Sequence, residues 1–528
     1  MGTGGAFDLV VVGGGVGGLA TAALAQRVGL KTALLEAHTR LGGCAGYFPR
    51  GPYTFDAGAT ALMGLGPGEP VGDLLGCVGV EFSAARSERY RVHLPDRTLD
   101  VTPDAEAFEN AVAAAFPGYD RERRAFWRLQ AAVGGRLFEA AARVPRLPIA
   151  GLKDAAYNLR VLGGNGLLAA TLSLVTVRDV LRGLGLADDR AFVALIAMLL
   201  QDTAQAGPEV VPFANAAACL QAYRLGMSRP RGGMKALTEG LGDRFAALGG
   251  DLRKGTLVDR VEPADGGGFA VVTRRRETVR ARQVAFNLPL DLATRLLGRA
   301  PAGRLARHEG KSRAVWGAFT GYVAVDREAV ADDAPLFHQV LQSYDRPTHD
   351  GNNVLVSLSP PEDPGYGPPD VRVATLSTHV PPGDWWGLDR AAYAARKRDY
   401  AGRMLAALGR ALPDAPARLV HAEFATPQSF ARYTRRTLGA VGGPPVSRGN
   451  SNAFAVDPGV FGNGVWVVGD SVFPGQGTMA TVISAVRVVE RITGRSWASM
   501  KRGRGQGGSG PADGPDAPAR LAARGGGR

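Results

Sequence analysis

Residues 9–20, LVVVGGGVGGLA, constrain this chain more than any other stretch. Residues 9–12 are a continuous apolar run rich in valine, the pattern of a parallel strand buried on both faces. Gly13, Gly15 and Gly18 follow in G-x-G-x-x-G spacing. In such a turn the first glycine makes the bend and the second lets a pyrophosphate reach the backbone. The third lets the next helix pack on the strand. A helix over 19–28 and a second strand over 31–35 are predicted next, the strand ending in Glu36, 18 residues after Gly18. An acid there accepts bonds from ribose hydroxyls and argues against a 2′-phosphate. Strand, glycines, helix, strand and acid in this order predict a βαβ unit that holds FAD or NAD.

A second junction of the same kind stands near the other end. Residues 465–480 read VWVVGDSVFPGQGTMA: an apolar strand, a glycine-rich turn and the start of a helix, again suited to an anionic group. Between the junctions the chain is long. With 528 residues, 45% hydrophobic and 21% charged, it is predicted to be an ordinary globular protein of two or three domains. Cys44, Cys77 and Cys219 are far apart and odd in number, so free thiols in a reducing compartment are expected, and no metal site. No apolar run reaches the roughly 18–20 residues of a spanning helix. The N-terminal residues lack the basic region of a signal peptide, so the expected location is the bacterial cytoplasm, with peripheral membrane association from one side.

Further motifs decide between the two dinucleotides. Glu36 is followed by Leu41-Gly42-Gly43, then by Phe55-Asp56-x-Gly58-x-Thr60. This set resembles the flavoproteins of the phytoene desaturase, carotenoid isomerase and amine oxidase group. Many members carry Arg after the Gly-Gly pair; Cys44 in its place is similar to the branch of carotenoid isomerases, late carotenoid desaturases and retinol saturases. The resemblance implies FAD as cofactor, with Gly42, Gly43, Gly58 and Thr60 around it and the backbone of Val258 near the adenine. It also implies that Gly469, Asp470, Gly475, Gln476, Gly477 and Thr478 form the flavin end. Asp470 would bond the ribityl or pyrophosphate region, and the helix from Thr478 would aim its N-terminus at the N1/O2 edge of the ring. A helix N-terminus favours the anionic reduced flavin. Both junctions then hold one long ligand, and the ends of the chain fold together.

The expected fold is α/β: a discontinuous Rossmann-type FAD-binding domain over 1–105, 220–300 and 445–495, and a mixed α/β substrate domain over 301–444. A helical insert over 106–219 and a disordered tail over 501–528 complete it. Strands are predicted at 315–325, 354–358 and 371–378, and a helix at 392–408. The tail carries six basic and two acidic residues of a net charge of +13, and Arg274-Arg275-Arg276 is read as a solvated hairpin tip. Lys153, Arg160, Arg178 and Arg182 flank the apolar Leu152, Leu159, Leu167 and Leu168, a pattern of an interfacial, membrane-facing element. A core helix with a basic solvent face is the plainer reading. No basic patch with interleaved aromatics suggests nucleic acid.

No nucleophile–base set or carboxylate pair is identifiable, so a flavin must carry the reaction and no catalytic side chain is assigned. Hydride and proton loss from adjacent carbons of a polyene needs mainly an apolar tunnel without water. The reading ranked first is an FAD-dependent carotenoid desaturase acting on a membrane-dissolved substrate. The second is a carotenoid cis–trans isomerase using reduced FAD. A reading of another class is a lipid carrier on the same fold, like the Rab GDP-dissociation inhibitors.

Overall fold

The computed structural model describes residues 6–163, 165–300, 303–312, 315–462 and 464–502. Strand β1 (Phe7–Val12) sits in the middle of a seven-stranded sheet, because Leu9, Val10 and Val11 lose all contact with solvent there. Parallel partners flank it: β2 (Thr32–Leu35) on one side and Thr278–Phe286 on the other. The Asp251–Arg253 strand extends the sheet beyond β2. On the far side Thr278–Phe286 receives the antiparallel ribbon Val258–Pro263 and Phe269–Thr273, and in parallel the C-terminal strand Val465–Val467. The sheet therefore draws its strands from residues 7–35, 251–286 and 465–467. Helix α1 (Val16–Arg27) covers one face beside Gly233–Ala247 and the C-terminal Thr478–Thr493, where Leu19, Leu24, Leu241 and Val486 share one core.

A second, eight-stranded sheet runs Leu419–Ala425, Trp316–Asp326, Val371–Val380, Asn353–Leu358, Phe337–Leu341, Tyr90–His93, Thr98–Val101, with Ala440–Val441 paired to Trp316–Asp326. The strands expected at 315–325, 354–358 and 371–378 lie here, and the predicted helix forms as Arg390–Ala411. One expected boundary is corrected. Tyr90–His93 pairs in parallel with Phe337–Leu341, so residues 90–101 belong to this sheet and the first dinucleotide-binding piece ends before 105. The alternation of these strands says that one face is buried, not against which sheet.

The insert is helical, from Ala105–Ala115 to Phe213–Leu225. Much of it is ordinary core: Phe126, Trp127, Phe192 and Phe213 interlock edge to face and pack with Phe337 and Leu341 of the second sheet. Among the described residues no helix is long and apolar enough to cross a membrane. The tail expected over 501–528 lies outside the described residues from 503 on. Lys501 is no part of a tail: it closes the helix Trp497–Lys501, over buried Met500, and pairs with Asp73 at 2.6 Å.

Candidate active site

The β1–α1 turn is built as its glycines predict, each for a separate reason. Gly13 has φ +103°, and its N–H donates to Leu35 O at 2.9 Å, fixing the turn to β2. A Cβ on Gly18 would stand 2.0 Å from Gly13 O, so only glycine lets α1 lie this close to the strand. Gly15 has φ −72°, which any residue adopts; a Cβ there would instead meet the Asn287 carboxamide at 2.7 Å. Asn287, at the end of the Thr278–Phe286 strand, turns its side-chain oxygen to the N–H groups of Gly15 (3.2 Å) and Gly18 (3.3 Å). Sequence reasoning missed it, since no local pattern ties residue 287 to residue 15.

Glu36 closes β2 beneath this turn. Its Oε2 accepts from Gly14 N and its Oε1 from His38 N, both at 2.6 Å, and it faces the cavity between the sheets. Burial pushes its carboxyl above the usual carboxylate range, against the pull of these N–H donors. Gly42 and Gly43 bend with positive φ, and Gly42 N donates to Gly14 O at 2.8 Å, docking the second small-residue turn on the first. A Cβ on Gly58 would come within 2.7 Å of Cys44 O. Thr60 shares a hydrogen bond of 2.8 Å with Ser357, across to the second sheet. Asp56, fully buried, holds Arg229 at 3.1 Å and Met234 N at 2.7 Å, so this acid of the motif is a joint between chain segments.

The C-terminal junction meets the first one directly: a Cβ on Gly17 would lie 3.2 Å from Gly469 Cα. Gly469, with φ +101°, donates its N–H to Ser484 Oγ at 3.1 Å. Asp470 accepts from Arg436 at 2.7 Å. Gly477 precedes the helix Thr478–Thr493 with φ +97° and no side-chain cap, leaving the first-turn N–H groups to face the cavity wall. Gln476 reaches across to Thr203 O at 2.6 Å.

All of this opens on one cavity of about 1220 Å³ between the two sheets. Of the predicted residues, Gly13, Gly15, Glu36, Gly42, Gly43, Gly58, Thr60, Val258, Asp470, Gln476, Gly477 and Thr478 line it. Gly18, Gly469 and Gly475 stand outside the lining and shape the turns. The volume exceeds the roughly 300–1,000 Å³ of a pocket for one drug-sized ligand. Its lining includes Glu36, His38 and Val258 as well as the apolar Phe138, Ala218, Ala222, Met227 and Leu355. Two helix N-termini whose N-cap residues are glycines without a side-chain cap, a buried acid at the end of β2 and glycine turns without room for side chains fit an extended dinucleotide. Among the described residues no group of His, Cys, Asp and Glu could hold a metal ion.

Residues 11–78 match the model of the NAD(P)-binding Rossmann-like domain. In solved structures the fold recurs in a putrescine oxidase double mutant, with TM-score 0.62 and 17% identity over 93% of this chain and 99% of that one. The phytoene dehydrogenase of Streptomyces griseus is 32% identical over 56% of each chain. The chloroplastic prolycopene isomerase of Arabidopsis thaliana is 23% identical over 92% of this chain and 82% of its own. Through these relatives, taken with the glycine-led architecture from one junction to the other, the chain is similar to the carotenoid desaturases and isomerases.

Proposed function

We propose that the chain binds FAD and dehydrogenates C–C single bonds of a membrane-dissolved polyene, as a carotenoid desaturase. The observation that carries this reading is one cavity in which a dinucleotide cradle runs on into an apolar pocket. Bound FAD supplies the two-electron acceptor. Both glycine junctions would hold it, and Phe138, Ala222 and Met227, which line the cavity with the Gln476–Thr478 turn, would keep water from a bound polyene.

The helix Leu152–Leu162 supports access from a membrane. Its Asp154 and Asn158 turn inward, to Arg487 at 3.2 Å and to the backbone of Arg146, while Leu152 is 91% and Leu159 70% exposed. A helix with polar residues inside and leucines outside is the inverse of a surface helix in water. Ile149, Leu168 and Leu174 extend the exposed apolar face.

A second reading, cis–trans isomerisation, is favoured by one observation: the prolycopene isomerase aligns over 92% of the chain, the dehydrogenase over 56%. Anaerobic mixing of the flavin-loaded protein with phytoene separates the two. Bleaching of the flavin with a product absorbing further to the red supports desaturation. Changed double-bond geometry at an unchanged oxidation level supports isomerisation, and a purified protein without flavin colour sinks both.

A further inference from the structure

We propose that Asp202 is the proton acceptor of the reaction, the group that takes up the proton when a single bond of the polyene becomes double. The proposal rests on the desaturase reading. Among the described residues five carboxylates line the cavity, and four are matched to a donor or a cation. Glu36 holds the N–H groups of Gly14 and His38; Asp470 holds Arg436 at 2.7 Å; Glu423 holds Arg50 at 2.9 Å; Asp259 holds Arg274 at 3.3 Å. Asp202 has neither. The hydroxyl of Tyr223 donates to it at 3.5 Å, and Asp202 lines the cavity.

Its place in the fold points the same way. Asp202 lies in the last turn of the helix Arg190–Thr203, and Thr203 O, one residue on, accepts from Gln476 in the turn that leads into Thr478–Thr493. Asp202 thus stands beside the Gln476 turn and lines the same cavity as the apolar Ala218, Ala222 and Met227, where under the desaturase reading a polyene would meet bound FAD. An acid placed for binding a hydrocarbon has no purpose, because a polyene offers it no donor.

Bound FAD would supply the hydride acceptor, so that the C–H bond at one carbon would break with its electron pair toward it. The C–H bond at the adjacent carbon breaks toward Asp202, whose carboxylate oxygen forms the new O–H bond. The electron pair left behind becomes the π bond. The polyene loses two electrons and two hydrogens, and Asp202 later passes its proton to water. The groups facing Asp202 stay neutral near pH 7, so nothing else there competes for the proton. Burial pushes the Tyr223 and Tyr90 hydroxyls well above their ordinary range and the Cys219 thiol up to about 11. Burial also lifts Asp202 itself to about 6, against the weak Tyr223 bond. Such a base is charged at neutral pH and basic enough to accept a proton.

The test is Asp202→Asn in the flavin-loaded protein, mixed anaerobically with phytoene in phosphatidylglycerol vesicles. Flavin content and spectrum are expected to stay as in the parent, while flavin reduction slows about 10²–10⁴-fold, the usual worth of a general base. Asp202→Glu should recover part of the rate. The parent rate should rise with pH through about 6, and this limb should vanish in Asp202→Asn. Melting adds a readout independent of turnover: the advantage of Asp202→Asn over the parent should grow from pH 4 to pH 8, as only the parent must hold a desolvated charge. Asp202→Asn reducing its flavin at the parental rate overturns the proposal alone, as does a parent without the limb near pH 6 should the variant lose its flavin. A parent whose flavin stays oxidised overturns the desaturase reading, and the proposal with it.

Discussion

Arg436 Nη1 lies 2.7 Å from Asp470 Oδ2 and 3.8 Å from Cys44 Sγ. This one guanidinium, from the loop after helix Pro427–Thr434, joins the Gly-Gly-Cys turn of the first junction to the acid of the second. The flavoproteins that the motif resembles often carry Arg where this chain has Cys44; here a guanidinium reaches Cys44 from 392 residues away in sequence. Its Nε is buried with no partner among the described residues, and Arg436 lines the cavity. Arg436→Met should strand Asp470 and cost about 3–5 kcal/mol of combined folding and cofactor-binding free energy. Calorimetric melting of the flavin-loaded protein, with and without added FAD, measures it. Unchanged melting and unchanged flavin retention contradict the joint role.

Gly18→Ala and Gly15→Val should fail in different ways. The Gly18 methyl would lie 2.0 Å from Gly13 O, backbone that cannot yield without moving α1, so loss of soluble protein is expected. Gly15→Val meets the Asn287 carboxamide and the ligand space, so folded but flavin-free protein is expected. Visible absorbance per unit of soluble protein tells them apart. A yellow Gly15→Val variant would move the pyrophosphate away from this turn.

Glu36→Ala removes a partner of Gly14 N–H as well as the acid facing the cavity. FAD affinity should fall by the worth of charged hydrogen bonds, about 1.5–3 kcal/mol, read as a roughly 10- to 150-fold rise in Kd by fluorescence titration. An unchanged Kd removes Glu36 from the ligand.

Acid should destabilise the fold through buried histidines. His93 and His338 stack at 5.4 Å, and burial holds them at about 4 and about 3; His379 is held at about 4 by burial as well. Each folded value lies below the ordinary 6.5. The stability tied to the neutral ring is therefore complete above pH 6.5 and is lost progressively as pH falls toward 4. Each tenfold loss of proton affinity is worth about 1.4 kcal/mol, so three such groups remove several kcal/mol across that window. His338→Gln should flatten the fall in melting temperature between pH 6.5 and 4. A parent that melts at the same temperature at both ends would contradict these burials.

The dinucleotide half of the site was legible because its signals are local. Gly13, Glu36 and Gly477 each act through backbone shape or the end of one element, and their spacing carries that information. Asn287, Arg436 and Asp202 were not. Each comes from a different element, and what surrounds it arrives from a distant part of the chain: Asn287 at Gly15, Arg436 at Cys44, and Gln476 at Thr203, next to Asp202. The strand Tyr90–His93 shows the same limit, since its pattern marks a buried face without naming the sheet that receives it.

The exposed face of Leu152–Leu162 allows a last test in which apolar and charged contributions are separated. The four basic residues read as a membrane contact are not equivalent. Arg178 pairs with Glu209 at 3.0 Å and Arg182 with Asp179 at 3.5 Å, so half of the expected attraction is already neutralised. Lys153 and Arg160 stand exposed on the same helix as Leu152 and Leu159. Each basic group close to an anionic surface is worth about 1 kcal/mol at most and fades beyond a Debye length. Burying one leucine is worth about 1.5–3 kcal/mol, and salt does not screen it. The paired change Leu152→Ser with Leu159→Ser should therefore weaken binding to phosphatidylglycerol vesicles at roughly 0.5 M salt more than Lys153→Glu with Arg160→Glu does. At low salt the two should come closer together. Neither pair should alter the flavin spectrum, because none of these residues lines the cavity. Vesicle binding by the leucine pair equal to that of the parent at both salt concentrations would mean that this helix does not enter the bilayer.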